Sequence, residues 1–140
     1  MGSSQIKLPP PSQEGGLSLE AAIAKRRSVR HFAPGSISQS QLSLLLWATQ
    51  GISDGRSQLR TVPSAGAGYP LEVFVVCGLN GVEGLAEGIY RYNIASHSLT
   101  QHYEGDVRSE LARAALGQHF IYQAPLDIVI CALYERTAMR

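Results

Sequence analysis

Pro63-Ser64-Ala65-Gly66-Ala67-Gly68-Tyr69-Pro70-Leu71 is a run of small residues that leads into the apolar, β-branched stretch 72–78. Its reading separates two fold classes. Gly66 and Gly68 have the spacing of the first two glycines of a dinucleotide fingerprint. Leu71, however, stands where the third glycine belongs, and the run precedes a strand instead of opening a helix after one. No Walker lysine is present either. Helices and strands interleave without the regular alternation of a doubly wound sheet, so the predicted class is α+β. A loop of residues this small also lets backbone approach a flat ligand closely.

Outward from that loop, 72–78 and 126–134 read as buried strands, the second entered through Pro125, and 90–93 with 98–103 as the arms of a hairpin. Ser18 is placed to cap a helix whose apolar side carries Leu19 and Ile23 and which runs out near Arg26 or Arg27. Ser38 with Gln41 three residues later is a capping-box pattern. It opens a second helix with Leu42, Leu45, Leu46 and Thr49 on one face and Gly51 at its end. A third helix spans 106–116, ended by Gly117. Residues 1–17, rich in Pro, Gly, Ser and Gln, are predicted to form an extended arm without a core of its own. Tyr90 and Tyr92 alternate with Arg91, so one of them is expected to be buried.

The chain has 140 residues, 44% of them apolar, enough for one globular domain with a real core. A formal charge of +1 argues against a general nucleic-acid or membrane-surface binder, which needs a wide positive field. Positive charge is instead local, in Lys25-Arg26-Arg27-Ser28-Val29-Arg30. Arginine forks and a serine hydroxyl match the oxygens of a phosphate, and the plain alternative is a solvated basic face. Cys77 and Cys131 lie in apolar runs and suit buried free thiols in a reducing cytoplasm. No segment has the apolar length of a membrane span. His31, His97, His102 and His119 lack metal spacing, and surface or capping roles are expected for them.

Arg26-Arg27-Ser28-Val29-Arg30-His31-Phe32, then Leu45-Leu46-Trp47-Ala48-Thr49-Gln50-Gly51, then Arg60-Thr61-Val62-Pro63-Ser64-Ala65-Gly66-Ala67 together resemble the nitroreductase superfamily of FMN-dependent oxidoreductases. The nearest branch is the azoline-dehydrogenase type, and Lys7-Leu8-Pro9-Pro10-Pro11 is similar to its leader. The resemblance implies a central mixed or antiparallel sheet flanked by helices, with FMN as the cofactor. It places Arg26 and Ser28 at the phosphate and ribityl chain, with Arg27 between them as a weaker candidate. Arg30 falls beside the pyrimidine end of the ring, where a guanidinium raises the reduction potential. Pro63, Ser64, Ala65 and Gly66 match a loop passing close to the flavin. Family members are homodimers with flavins at the subunit interface, so that loop can serve the partner's cofactor. Tyr69 reads either as facing the substrate pocket or as a packing anchor.

The implied chemistry is hydride transfer between NAD(P)H, or an oxidisable substrate, and a small organic acceptor. It needs no catalytic side chain and no metal. Family members continue beyond residue 140 into further helices, a strand and a second basic pair. By resemblance, residues 18–140 are therefore the N-terminal portion of a single domain whose C-terminal part is absent, completed by a second chain or lost. A different class of function also fits the same frame: a non-catalytic dimerisation or scaffold subunit. With the remainder absent, strand 126–134 is expected at an unprotected edge.

Overall fold

The computed structural model describes residues 5–138. In chain order the elements are β1 (Gln5–Lys7), α1 (Leu19–Lys25), α2 (Gln39–Gln50), β2 (Ile52–Asp54), β3 (Leu59–Arg60), β4 (Leu71–Cys77), β5 (Gly88–Asn93), β6 (Ser98–Glu104), α3 (Arg108–Ala114), α4 (His119–Gln123), β7 (Leu126–Ala132) and α5 (Glu135–Ala138). Five strands form one sheet in the order β1-β6-β5-β4-β7, with every neighbouring pair antiparallel, and β2 and β3 make a separate hairpin. A parallel bridge outside the strands joins Ile37 to Val82. The predicted α+β class and helix-flanked sheet hold, and β7 lies at an edge as expected.

Alternation along the strands decides which side chains are buried. Val73, Val75 and Cys77 of β4, Tyr90 and Tyr92 of β5, and Leu99 of β6 form the inner face, over which α2 lays Leu42 and Leu46. Both tyrosines are buried, not one. The α2 start is the predicted capping box: Ser38 Oγ accepts from Gln41 N–H and Gln41 Oε1 accepts from Ser38 N–H. Of the predicted apolar face, Leu42 and Leu46 are in the core, whereas Leu45 is 47% exposed. The helix stops at Gly51 for a reason other than a left-handed backbone, since its φ is −64°. A Cβ there would lie 2.3 Å from the Trp47 ring, so the chain can leave the helix past Trp47 only without a side chain.

The N-terminal arm is extended, yet it is not separate from the domain. Ile6 pairs with Leu99 across β1 and β6, and Leu8 is buried in the core, because the arm carries apolar residues at alternate positions. α1 behaves in the opposite way. Ser18 caps it through Ala21 N–H, but Leu19 and Ile23 are 71% and 67% exposed and the helix buries no residue. Cys77 is buried; Cys131, which was expected to be, is exposed on the edge strand.

The outer face of the sheet is partly covered by α3. Arg108 reaches back from it to grip Asp106 through Nε and Nη2 at 2.9 and 2.6 Å and to donate to the Ala124 carbonyl. Gly78 makes room for this clamp, since a Cβ there would meet the Arg108 guanidinium carbon at 2.0 Å. Asp127, opposite Val76, lies nearby with its buried Oδ2 unpartnered. Burial pushes its carboxyl up to about 6, with the Arg108 charge opposing and that of Asp106 adding. The folded chain therefore holds a proton that the unfolded chain has already released, and stability from this group falls as pH rises from the ordinary carboxylate range through 6. Asp127→Asn is expected to gain stability over the parent across that window, reaching about 1 kcal/mol by pH 7 after discounting for half-burial. Urea midpoints of the two proteins at pH 4 and pH 7 measure it; a pH-independent difference would refute it.

Candidate functional site

The basic turn begins where α1 ends. Arg26 caps the helix by donating its N–H to the Ala22 carbonyl, and residues 26–33 continue as exposed coil. Arg27 spends Nη1 on the carbonyls of Ala24 and Arg26 at 3.0 and 2.7 Å, which turns its fork onto its own backbone. The side chains of Arg26 and Ser28 make no hydrogen bond or ion pair among the described residues. Arg30 sets its guanidinium 5.6 Å from the ring centre of Phe120 on α4. Phe120 is the residue that sequence reasoning missed here; its only signal was an aromatic in a short stretch between Gly117 and Pro125.

The small-residue loop is held from both ends. Ser64 Oγ accepts the Tyr69 N–H at 2.9 Å, closing a tight 3-10 turn at Ala65–Ala67. Gly66, Ala67 and Tyr69 have φ of 58°, 51° and 42°. Such angles cost non-glycine residues roughly 1–2 kcal/mol each, so neighbouring contacts must fix them. They do so at Tyr69. Its hydroxyl accepts from Arg60 N–H at 3.3 Å, its ring lies 4.2 Å under the Arg60 guanidinium, and its carbonyl accepts from Arg136 Nη1 at 3.1 Å. Tyr69 is thus an anchor for the loop. No hydrogen bond, ion pair or ring contact joins the basic turn to Pro63, Ser64 or Ala65 among the described residues.

Below the loop, Glu72 takes Arg91 on one carboxylate oxygen and Arg136 on the other, each at 2.6 Å. Burial pushes the Glu72 carboxyl up, but the hydrogen bonds and charges of the two arginines outweigh it and hold it below its usual value. The pairing joins β4, β5 and α5, and it settles the end of the strained loop through Arg136.

The model of the nitroreductase family matches residues 23–140. The chain belongs to the nitroreductase family. A nitroreductase of Methanocaldococcus jannaschii, so named, is 44% identical over 121 residues, covering 86% of this chain and 60% of that protein. The crystal structure of a protein of Ralstonia eutropha, likewise named a nitroreductase, superposes with a TM-score of 0.79 at 32% identity, over 96% of this chain and 59% of that one. The Escherichia coli microcin synthetase McbBCD complex shares the fold, with a TM-score of 0.57 at 23% identity over 91% of this chain and 50% of that one. The chain spans about 60% of the length of the first two of these relatives.

One constellation in this nitroreductase-family chain looks like hydrolytic machinery and is not. Ser43 Oγ lies 2.7 Å from His97 Nε2, and His97 Nδ1 lies 2.7 Å from the Tyr92 hydroxyl. Ser43 Oγ donates its proton to the Pro9 carbonyl at 2.6 Å, so it accepts from His97 Nε2–H, and Nδ1 accepts from Tyr92. Among the described residues no free base faces the serine. Burial lowers the His97 pKa and raises that of Tyr92 to about 12, which keeps both neutral. The trio ties the arm, α2 and the β5–β6 hairpin together. His97, expected at the surface or in a cap, is therefore a structural hub that joins a neighbour on its own hairpin, Tyr92, to Ser43, which is distant in sequence.

Proposed function

We propose that this chain is part of an FMN-dependent oxidoreductase that passes hydride between NAD(P)H, or an oxidisable substrate, and a small organic acceptor. The observation that carries this is the basic turn: Arg26, Ser28 and Arg30 are exposed on one short stretch, with no carboxylate paired to them among the described residues. That donor set fits a phosphate monoester, and the loop at Pro63, Ser64, Ala65 and Gly66 fits close passage of a flat ring. Bound there, FMN would accept and release hydride at its ring. Arg26 and Ser28 donate to the phosphate and ribityl oxygens; Arg27, turned onto its own helix end, contributes charge alone. Arg30, braced on Phe120, holds positive charge where reduction would place negative charge.

The exposed Leu19, Ile23, Val29 and Phe32 beside this turn support a homodimer in which a second copy covers them and offers its own loop to the turn. Free thiols at Cys77 and Cys131 agree with a cytoplasmic protein. No helix among the described residues is long and apolar enough to cross a membrane. Arg30→Ala is expected to weaken FMN binding about tenfold, the scale of one charged hydrogen bond, and to make the bound flavin's reduction potential more negative. Flavin fluorescence titration and dye-equilibrated reduction measure the two, and circular dichroism checks that the fold is intact. Unchanged affinity and potential would remove Arg30 from the site.

A further inference from the structure

The loop end at Ala67, Gly68 and Tyr69 forms one wall of a cavity of about 460 Å³ that also holds Arg60, Arg91, Arg136 and Glu72. Among the described residues, three guanidinium groups face one carboxylate there, an excess of two positive charges. Arg91 and Arg136 are matched to Glu72. Arg60 is not. Its Nη1 donates to the neutral Gln50 Oε1 at 3.0 Å, its face lies on Tyr69, and no carboxylate pairs with it among the described residues. Burial depresses the Arg60 pKa, with Arg136 adding to the effect while Tyr69 and Glu72 oppose it. A half-desolvated cation fixed by stacking and lacking a counter-ion is a preorganised anion anchor. The volume is that of a small-molecule site.

We propose that this cavity is a subsite for the carboxylate or phosphate group of a small molecule, with Arg60 as its anchoring cation and Arg91 as the second positive wall. Resting on the flavin reading above, the subsite adjoins the loop that passes the ring, so its anion belongs to a reactant of the redox reaction. Glu72 orients Arg91 and Arg136 without cancelling the charge, and the Tyr69 ring holds the Arg60 guanidinium by stacking at 4.2 Å.

Binding of benzoate and of inorganic phosphate is to be followed by heteronuclear NMR on the chain without flavin, in the parent, in Arg60→Gln and in Arg60→Lys. The phosphate series is repeated on a Ser28→Asp background, which removes the basic turn as a second anion site. Saturable shifts at residues 67–69 are expected, weakened about fivefold in Arg60→Gln, the scale of a screened ion pair, and largely kept in Arg60→Lys. Should Arg60→Gln fail to fold, Ala67→Asp serves: its left-handed backbone tolerates aspartate, and a carboxylate in the wall must also weaken the anion. With the flavin loaded, kcat/KM ratios for 4-nitrobenzoate against nitrobenzene and for NADPH against NADH identify the source. Arg60→Gln is expected to lower one ratio through KM. Anion binding indifferent to Arg60→Gln or Ala67→Asp in a chain that binds FMN overturns the subsite alone. Anion binding lost with Arg60 in a chain that ignores FMN overturns the flavin reading and leaves the subsite standing.

Discussion

Glu72→Ala is expected to cost about 2–3 kcal/mol of folding stability. Removing one partner of a buried pair typically costs 3–5 kcal/mol, because the remaining charge stays desolvated. Here the arginines are 43% and 38% exposed, so water screens part of that loss, and the lower end applies. The effect exceeds that of a single ion pair because, among the described residues, Glu72 is the only carboxylate against three guanidinium groups in the cavity, and because Arg136 would then hold the Tyr69 carbonyl alone. Glu72 has a folded pKa below its unfolded value, so its contribution is present above about pH 4.5 and is lost as pH falls through the folded pKa. Urea unfolding of parent and variant at pH 7 should show the full difference, and the two curves should converge under acid. A loss under about 0.5 kcal/mol, the value of an ordinary surface pair, would mean that the triad does not hold the loop.

Ser28→Asp is expected to weaken FMN binding by about a hundredfold with little change in stability. The position is exposed coil, so aspartate meets no packing obstacle. Placed among Arg26 and Arg30, however, a carboxylate both repels a dianionic phosphate and occupies the cations that would bind it. Like charges at close range cost about 4 kcal/mol at an effective dielectric of 20, and solvent screening brings this to about 2–3 kcal/mol. Salt should narrow the gap between variant and parent. Ser28→Ala, which removes one donor and adds no charge, should fall between them. A Ser28→Asp protein that binds FMN as tightly as the parent would place the phosphate elsewhere.

Local chemistry made part of the fold legible. The Ser38 and Gln41 box, the Ser18 cap and the β-branched run of β4 act through near neighbours in sequence, and each element was placed within a few residues. What was not legible depends on distant partners. The arm looks coreless in composition, yet Ile6 and Leu8 find β6 and the core some ninety residues away. For His97 the local partner is Tyr92, but it becomes a hub only once Ser43 of α2, backed by Pro9 of the arm, packs against the hairpin. α4 was missed because His119–Gln123 is a single turn wedged before Pro125, too short to show a period. In the candidate site, residue type alone exposed Arg26, Ser28 and Arg30. Arg60 carries no signal of its own beyond its place in the 60–67 stretch, and its pairing with Tyr69 follows from a left-handed backbone that no periodicity announces.

The most direct test of the account is a titration of FMN with this chain, followed by the flavin's visible spectrum and fluorescence, with Ser28→Asp run beside it. The expected result is a saturable spectral change at one flavin per chain in the parent and a shift of the whole curve to far higher concentration in the variant. A flavin spectrum that the parent chain leaves unaltered, in a protein that is folded by circular dichroism, would contradict it and favour a scaffold subunit that keeps the nitroreductase frame without the cofactor.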